Sequence, residues 1–227
     1  MEKIGRTAGS KDWPLITLRP ILEDKHDESG VLNGAYFHQD LLVARKVFLN
    51  KPDRHIDIGS RTDGFVAHVA VFRPIEIIDI RPQHSKVENI SFLQGDLMNP
   101  VSPQLVSCCD SLSSLHAIEH FGLGRYGDPI DPAGHTKALD NIHSMLKPGG
   151  TFYFAVPMGP QEIEFNAQRI FSLRYLLQLL KDRYSINDFS FVDDKGDLHT
   201  KVALNEENIN SNCGCTYGCA IFDLRKL

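Results

Sequence analysis

From residue 54 onward, short apolar runs alternate with segments of helical periodicity, and this alternation constrains the fold more than any other feature of the chain. Residues 54–58, 75–80, 90–93, 110–114 and 151–156 read as strands, apolar runs bounded by Gly, Pro, Asn or Asp. Residues 64–72 and 138–146 read as helices; in the second, Leu139, Ile142, Met145 and Leu146 share a face before Lys147-Pro148-Gly149-Gly150 closes it. A further helix is expected at 173–180, then strands near 189–192 and 217–223. Strands separated by helices return in parallel, because a parallel return needs a crossover, and the crossovers cover both faces of the sheet.

Upstream, residues 1–33 read as irregular, with Pro14, Pro20, Gly30 and the charged run Glu23-Asp24-Lys25-His26-Asp27-Glu28 of a solvated loop. A helix is expected over 39–49, where Leu41, Ala44, Arg45 and Phe48 recur at helical spacing and Pro52 ends it. A length of 227 residues suits one sizeable core, so a single domain is expected: an N-terminal cover and helix at 1–53, a binding core at 54–156, and a C-terminal helix and strand hairpin at 157–227. With 42% apolar and 23% charged residues the composition excludes a disordered tail or a fibre, and a formal charge of -5 is no footprint for a polyanion, so nucleic acid is not expected as a partner. No stretch nears the ~20 apolar residues that span a bilayer. Residues 1–10 hold no apolar leader core, so no membrane association and a cytoplasmic location are expected. The five cysteines, grouped as Cys108-Cys109 and Cys213-x-Cys215-x3-Cys219, form neither a framework of bridges nor C-x2-C knuckles, which suits reduced thiols.

The chemistry concentrates at strand ends. In His55-Ile56-Asp57-Ile58-Gly59-Ser60-Arg61-Thr62-Asp63-Gly64-Phe65 an apolar strand runs into a turn at Gly59, where backbone can approach a ligand, and a helix follows. Asp79 closes the next strand about 20 residues on, where a carboxylate can accept both hydroxyls of a ribose. Gly95-Asp96 follows the third strand, and Asp96 can accept from the exocyclic amine of adenine while Leu97 or Met98 packs on the ring. A dinucleotide fingerprint would need a glycine where Arg61 stands, so the pattern favours a nucleoside over NAD. Taken alone, the Gly59 turn reads equally as an ordinary strand-to-helix connection.

Asp57-Ile58-Gly59-Ser60, Asp79, Gly95-Asp96, Leu115-His116-Ala117-Ile118-Glu119-His120 and Leu146-Lys147-Pro148-Gly149-Gly150 together resemble the class I S-adenosylmethionine-dependent methyltransferases. The whole chain resembles an uncharacterised branch of that superfamily, through Tyr36-Phe37-His38-Gln39-Asp40, the segment Glu119-His120-Phe121-Gly122-Leu123-Gly124-Arg125-Tyr126-Gly127-Asp128-Pro129, and Glu164-Phe165-Asn166-Ala167. The resemblance implies an α/β fold: a Rossmann-like, doubly wound, mostly parallel seven-stranded sheet with helices on both faces, whose last hairpin brings one antiparallel strand. It implies S-adenosylmethionine as cofactor, bound by Asp57, Gly59, Ser60, Arg61, Asp79, Asp96, Leu97 and Leu115. Gly59 and its turn would face the methionine portion, and Leu115-His116 would floor the sulfonium. Arg61 stands where many members have glycine, and either pairs with the methionine carboxylate or faces solvent.

Methyl transfer to an alcohol needs an acceptor held in line and a base for its proton. His116, Glu119 and His120 are the candidates; on a helix they would converge on one face, and the alternative role for this turn is packing beneath the cofactor. The same residues match H-x-x-E-H, the inverted zinc-peptidase pattern, but they follow a buried strand and no second helix offers a ligand. A divalent metal bound by His116, Glu119, His120 and His135, polarising the acceptor oxygen, is a secondary option; no metal ligand is assigned. His38, Gln39, Arg125, Tyr126, Asp128 and Asn166 are the candidate substrate-binding residues, for a small-molecule or glycan acceptor. The opposing readings are a lid or a helix cap for residues 36–40, a rigid Ω-like loop for 122–132, and a turn at Asn166. An enzyme of this kind competes with an inactive cofactor-binding module of the same fold.

Overall fold

The structure is a computed structural model that describes residues 19–227. It divides into two units, with the boundary between Leu32 and Asn33. In the first, the charged run holds a 3-10 turn, Asp24–His26, and every described residue is exposed, as a solvated loop requires. The expectation of no apolar leader core at residues 1–10, and the first part of the irregular stretch, lie outside the described residues.

The second unit is built on one sheet of eight strands in the order β3-β2-β1-β4-β5-β10-β8-β9. The strands are β1 (His55–Ile58), β2 (Ile75–Asp79), β3 (Ile90–Gln94), β4 (Cys109–Leu115), β5 (Leu146–Met158), β8 (Tyr184–Val192), β9 (Leu198–His199) and β10 (Gly218–Lys226). Pairings from β3 through β5 are parallel, and those of β10 with β5 and β8, and of β8 with β9, are antiparallel. The sheet therefore has eight strands rather than seven, and two of them run against the rest. The additional strand, β9, is two residues at the edge, too short to carry a period-two signal. A separate hairpin, β6 (Glu162–Glu164) with β7 (Gln168–Ile170), also lacks a sequence signal, and it matters below.

Alternation along the central strands divides the interior in two. Phe152, Phe154 and Val156 of β5 pack to one face with Ala138, Leu139 and Ile142 of α3 (Gly134–Met145) and Leu173, Leu176 and Leu180 of α4 (Leu173–Leu180). Tyr153 and Ala155 face the other way, onto Val43 and Val47 of α1 (Ala35–Asn50) and Val69 of α2 (Ala67–Ala70). Each fully buried Phe or Leu contributes about 1.5–3 kcal/mol by leaving water, so helices on both faces follow from the pattern. A final short helix, α5 (Glu206–Ser211), precedes β10. Lys46 ties α1 to the antiparallel side, donating to Asp188 at 2.8 Å and Asp223 at 2.9 Å.

Three local expectations shift. The first helix begins at Ala35, four residues early, behind Gly34 at φ 92°, so Tyr36 to Asp40 form its opening turns rather than a lid before it. Asp40 accordingly does not cap that helix. The segment after β1 is a π-type turn, Thr62–Val66, that runs into the four-residue α2. Lys147 to Gly150 bulge within the span of β5, where Cys109 pairs Leu146 and Ser111 already pairs Thr151.

Candidate functional site

Strand order reverses between β1 and β4, and at the carboxyl ends of such a switch point a doubly wound sheet opens a crevice. Here the crevice is a cavity of about 290 Å³. Of the candidate residues, Gly59, Arg61, Asp79, Asp96, Leu97, His116, His120, Arg125, Tyr126 and Asp128 line it. Asp57, Ser60, Leu115, Glu119, His38, Gln39 and Asn166 do not.

The turn after β1 is shaped from beneath. Asp57, fully buried, accepts from Ser60 N–H at 3.0 Å, from the Ser60 hydroxyl at 2.6 Å and from the Ser113 hydroxyl at 2.5 Å. Ser60 Oγ in turn accepts from Leu115 N–H at 3.0 Å, fastening the turn to β4. Burial pushes the Asp57 carboxyl up to about 6 despite these donors. Asp57, Ser60 and Leu115 thus build the turn and present no side chain to the cavity. Gly59, at φ 69° with the Ala117 Cβ 3.0 Å from where its own Cβ would stand, is the backbone that reaches the cavity.

Asp79 is already engaged. Its carboxylate accepts from Arg81 Nε at 3.0 Å, a terminal Arg81 nitrogen at 2.6 Å and Arg81 N–H at 2.8 Å. A carboxylate has about four acceptor sites and three are taken, so one ribose hydroxyl remains admissible. Asp96 accepts from Met98 N–H at 2.8 Å and from the Asn99 amide at 3.1 Å, an Asx turn that points it at the cavity. Arg61 forks onto Asp63 at 3.0 and 2.7 Å and lies over the Tyr36 ring, 5.2 Å from its centroid, on the solvent side.

Across the cavity stand the histidines. His116 leaves β4 at φ 53°, and Ile118–His120 form a 3-10 turn, so the three candidate catalytic groups do not share a helix face. The same geometry removes the long helix that an inverted zinc-peptidase pattern needs. His116 Nδ1–H donates to Gln39 Oε1 at 2.7 Å, and His120 Nδ1–H donates to the Ala167 carbonyl at 2.7 Å. Both acceptors lack a proton, so each ring carries its hydrogen on Nδ1 and a lone pair on Nε2. Burial pushes both down to about 4, with the positive charges of Arg125 and Arg81 adding to it at His120, so both are neutral at pH 7. Glu119 is 1% exposed and lies beside His120, its Oε1 3.7 Å from Nε2, with no hydrogen-bond partner for either oxygen. Burial pushes its carboxyl up to about 8.

The glycine-rich loop is pinned internally. Asp128 accepts from the N–H groups of Gly122 at 2.8 Å, Gly124 at 3.1 Å and Tyr126 at 3.1 Å, while Gly122, Gly124 and Gly127 all hold positive φ. Tyr126 is flanked by guanidinium groups, Arg81 at 4.5 Å and Arg125 at 5.3 Å from its centroid. The β6–β7 hairpin closes this side. Its Arg169, 5% exposed, donates to the carbonyls of Phe121 at 2.6 Å, Glu119 at 3.3 Å and Pro132 at 3.5 Å, gripping both ends of the loop. Gln168 lines the cavity, whereas Asn166 is exposed at the hairpin's tip. His38 is half-buried against Phe37 and outside the cavity; Gln39 is buried, outside the cavity, and hydrogen-bonds His116.

Tyr36, Arg81, Ala117 and Gln168 also form the wall and were not among the candidates. Arg81, two residues past a strand-ending aspartate, had a readable signal; Gln168 and Arg169 had none. Among the described residues no group of three or more His, Cys, Asp or Glu side chains is arranged to hold a metal ion.

Solved structures share this fold at low identity. The 1,6-didemethyltoxoflavin-N1-methyltransferase of Burkholderia thailandensis, with bound 1,6-didemethyltoxoflavin and S-adenosylhomocysteine, is similar with a TM-score of 0.60 and 16% identity, over 90% of this chain and 81% of that one. The N-methyltransferase NodS of Bradyrhizobium japonicum WM9, in complex with S-adenosylhomocysteine, gives 0.53 and 13%, over 85% and 88%. The [4+2]-cyclase SpnF gives 0.57 and 16%, over 83% and 80%. Methyltransferases and a cyclase stand on one fold, so the fold does not name the reaction. No curated protein matches the sequence. A family model described as "Caenorhabditis protein of unknown function, DUF268" matches residues 79–227.

Proposed function

The chain belongs to the DUF268 family, and from that premise and the cavity's geometry we propose that it is an S-adenosylmethionine-dependent methyltransferase, transferring to an oxygen of a small polar or carbohydrate acceptor. The observation that carries the reading is the pairing, across one cavity, of a nucleoside-type wall (Gly59, Asp79, Asp96, Leu97) with two neutral imidazoles (His116, His120). The S-adenosylhomocysteine bound in two structurally similar proteins supports the cofactor. The residues present fit it: a glycine turn gives close backbone approach, and Asp79 and Asp96 keep acceptor capacity for a hydroxyl and an amine.

Held by Gly59, Asp79, Asp96 and Leu97, the cofactor would supply an activated methyl group on a sulfonium. The chain's own part is positioning and proton removal. His120 takes the acceptor's hydroxyl proton on its bare Nε2, because Ala167 holds the other nitrogen protonated. Glu119, which does not line the cavity, acts through His120, its Oε1 lying 3.7 Å from the Nε2 that takes the proton. Gln39 fixes the ring of His116 in the same way that Ala167 fixes His120.

Calorimetry with S-adenosylmethionine and with NAD tests the reading. Binding of the former is the expected result, and binding of NAD alone overturns it. An inactive cofactor-binding module predicts the same calorimetry but no labelled methyl group on any acceptor.

A further inference from the structure

Three arginines line the cavity, and two of them are spent. Arg61 is forked onto Asp63 and Arg81 onto Asp79. Arg125 has no carboxylate within ion-pair distance among the described residues; its one hydrogen-bond acceptor is the Ala167 carbonyl, 3.0 Å away. The carboxylates of the wall are committed too: Asp79 to Arg81, Asp96 to Met98 N–H and Asn99, Asp128 to three N–H groups of its own loop. Arg125 is therefore the cationic side chain of the wall without a counter-charge, and most of its five donors are open.

Its position is fixed and significant. The loop that carries it is pinned by Asp128 and gripped by Arg169, and the Tyr126 ring lies against its guanidinium. Arg125 shares the Ala167 carbonyl with His120, which places a terminal guanidinium nitrogen 3.4 Å from His120 Nδ1. A group bound by Arg125 thus sits beside the base.

We propose that the methyl acceptor carries an oxyanion, a carboxylate or a phosphate, next to the hydroxyl that is methylated, and that Arg125 is the residue that binds it. The proposal rests on the reading of this cavity as a methyl-transfer site. A guanidinium fork matches both oxyanions with two parallel hydrogen bonds, whereas a neutral sugar offers Arg125, an exposed residue on the cavity wall, no ionic partner. An anion there also serves the chemistry: after burial, the positive charges of Arg125 and Arg81 weaken His120 as a base, and neutralising Arg125 restores part of its basicity.

The test is an NMR titration of ¹⁵N-labelled protein saturated with S-adenosylhomocysteine, using acetate, inorganic phosphate and glucose, read at the Arg125 side-chain Nε–Hε resonance, which is assigned by its loss in Arg125→Gln. Acetate or phosphate should shift it saturably and glucose should not, and the anion that saturates first distinguishes carboxylate from phosphate. Read at the Tyr126 and Ala167 amides, Arg125→Gln should weaken that anion roughly tenfold or more, with Arg125→Lys in between. No saturable shift with either anion, or an affinity unchanged by Arg125→Gln, overturns the proposal. Failure of the methyltransferase reading shows separately, as absence of S-adenosylhomocysteine-induced shifts at the Gly59 and Gly95 amides; the anion titration on cofactor-free protein then decides Arg125 by the same criterion.

Discussion

The cavity wall that holds Gly59, Asp79 and Asp96 comes from three adjacent strand ends, all within residues 57–97, while the other wall gathers Tyr36, His116, His120, Arg125 and Gln168 from three stretches far apart in the chain. Short-range bonds stabilise the first: Asp57 to Ser60, Asp79 to Arg81, Asp96 to Met98. Contacts between distant segments hold the second, Gln39 with His116, Ala167 with His120, and Arg169 with the carbonyls of Glu119, Phe121 and Pro132. One wall is a property of the sheet; the other is an assembly and can be loosened alone.

The largest expected effect is on the assembled wall. Arg169→Met leaves buried carbonyls unpaired and should cost about 3 kcal/mol in denaturant unfolding. Hydrogen exchange should quicken over residues 118–132 while residues 57–60 stay protected; equal loosening of both would break the distinction. On the sheet-borne wall, Gly59→Ala forces a side chain to φ 69° and into Ala117, at about 2 kcal/mol, and should weaken S-adenosylmethionine binding as well.

Glu119 gives a pH signature to the assembled wall. Its ordinary value is 4.5 and burial raises it to about 8, so the folded state binds more protons between those values and stability falls as pH rises. His55, His116, His120 and His135, pushed down to between about 3 and 4, act in the opposite direction, but only below 6.5. Between pH 6.5 and 8 Glu119 therefore acts alone, at about 1.4 kcal/mol per pH unit, or roughly 2 kcal/mol across the window. Thermal unfolding of Glu119→Gln should lack that decline, and a variant that declines as steeply as the parent assigns it elsewhere.

Asp79→Asn should weaken S-adenosylmethionine about tenfold, since a charge-assisted ribose contact is lost; calorimetry showing unchanged affinity contradicts the placement of Asp79. Smallest of all, His38→Ala and Asn166→Ala should stay within about 0.5 kcal/mol of the parent and leave acceptor binding unaltered, because neither lines the cavity.

Legibility in the sequence follows the same division. The strand-ending residues of β1 to β3 were readable because each acts within a few positions of its own strand, and a strand-turn-helix pattern carries that information locally. Asp57, Ser60 and Leu115 shared the motif yet turn inward, since the residue type marks the turn and not the direction of its side chain. Gln39 and Glu119 were legible as polar groups near the site, but only packing reveals that each lies against a histidine rather than in the cavity. Arg169 and Gln168 had no signal, because β6 and β7 are three residues each and no periodicity can be expressed over so short a span.

The chain by itself determined the alternation that makes a doubly wound sheet, and with it a crevice at the carboxyl ends of β1, β2 and β4. Local hydrophobic period and turn chemistry suffice for that. Tertiary structure alone decided that Asp79 meets Arg81 and Asp128 its own loop, that both imidazoles keep Nε2 bare, and that Arg125 is left facing the cavity with no counter-charge. Those outcomes depend on contacts between residues as far apart as Gln39 and His116, or His120 and Ala167, and charge compensation in a cavity is a sum over every group that reaches it.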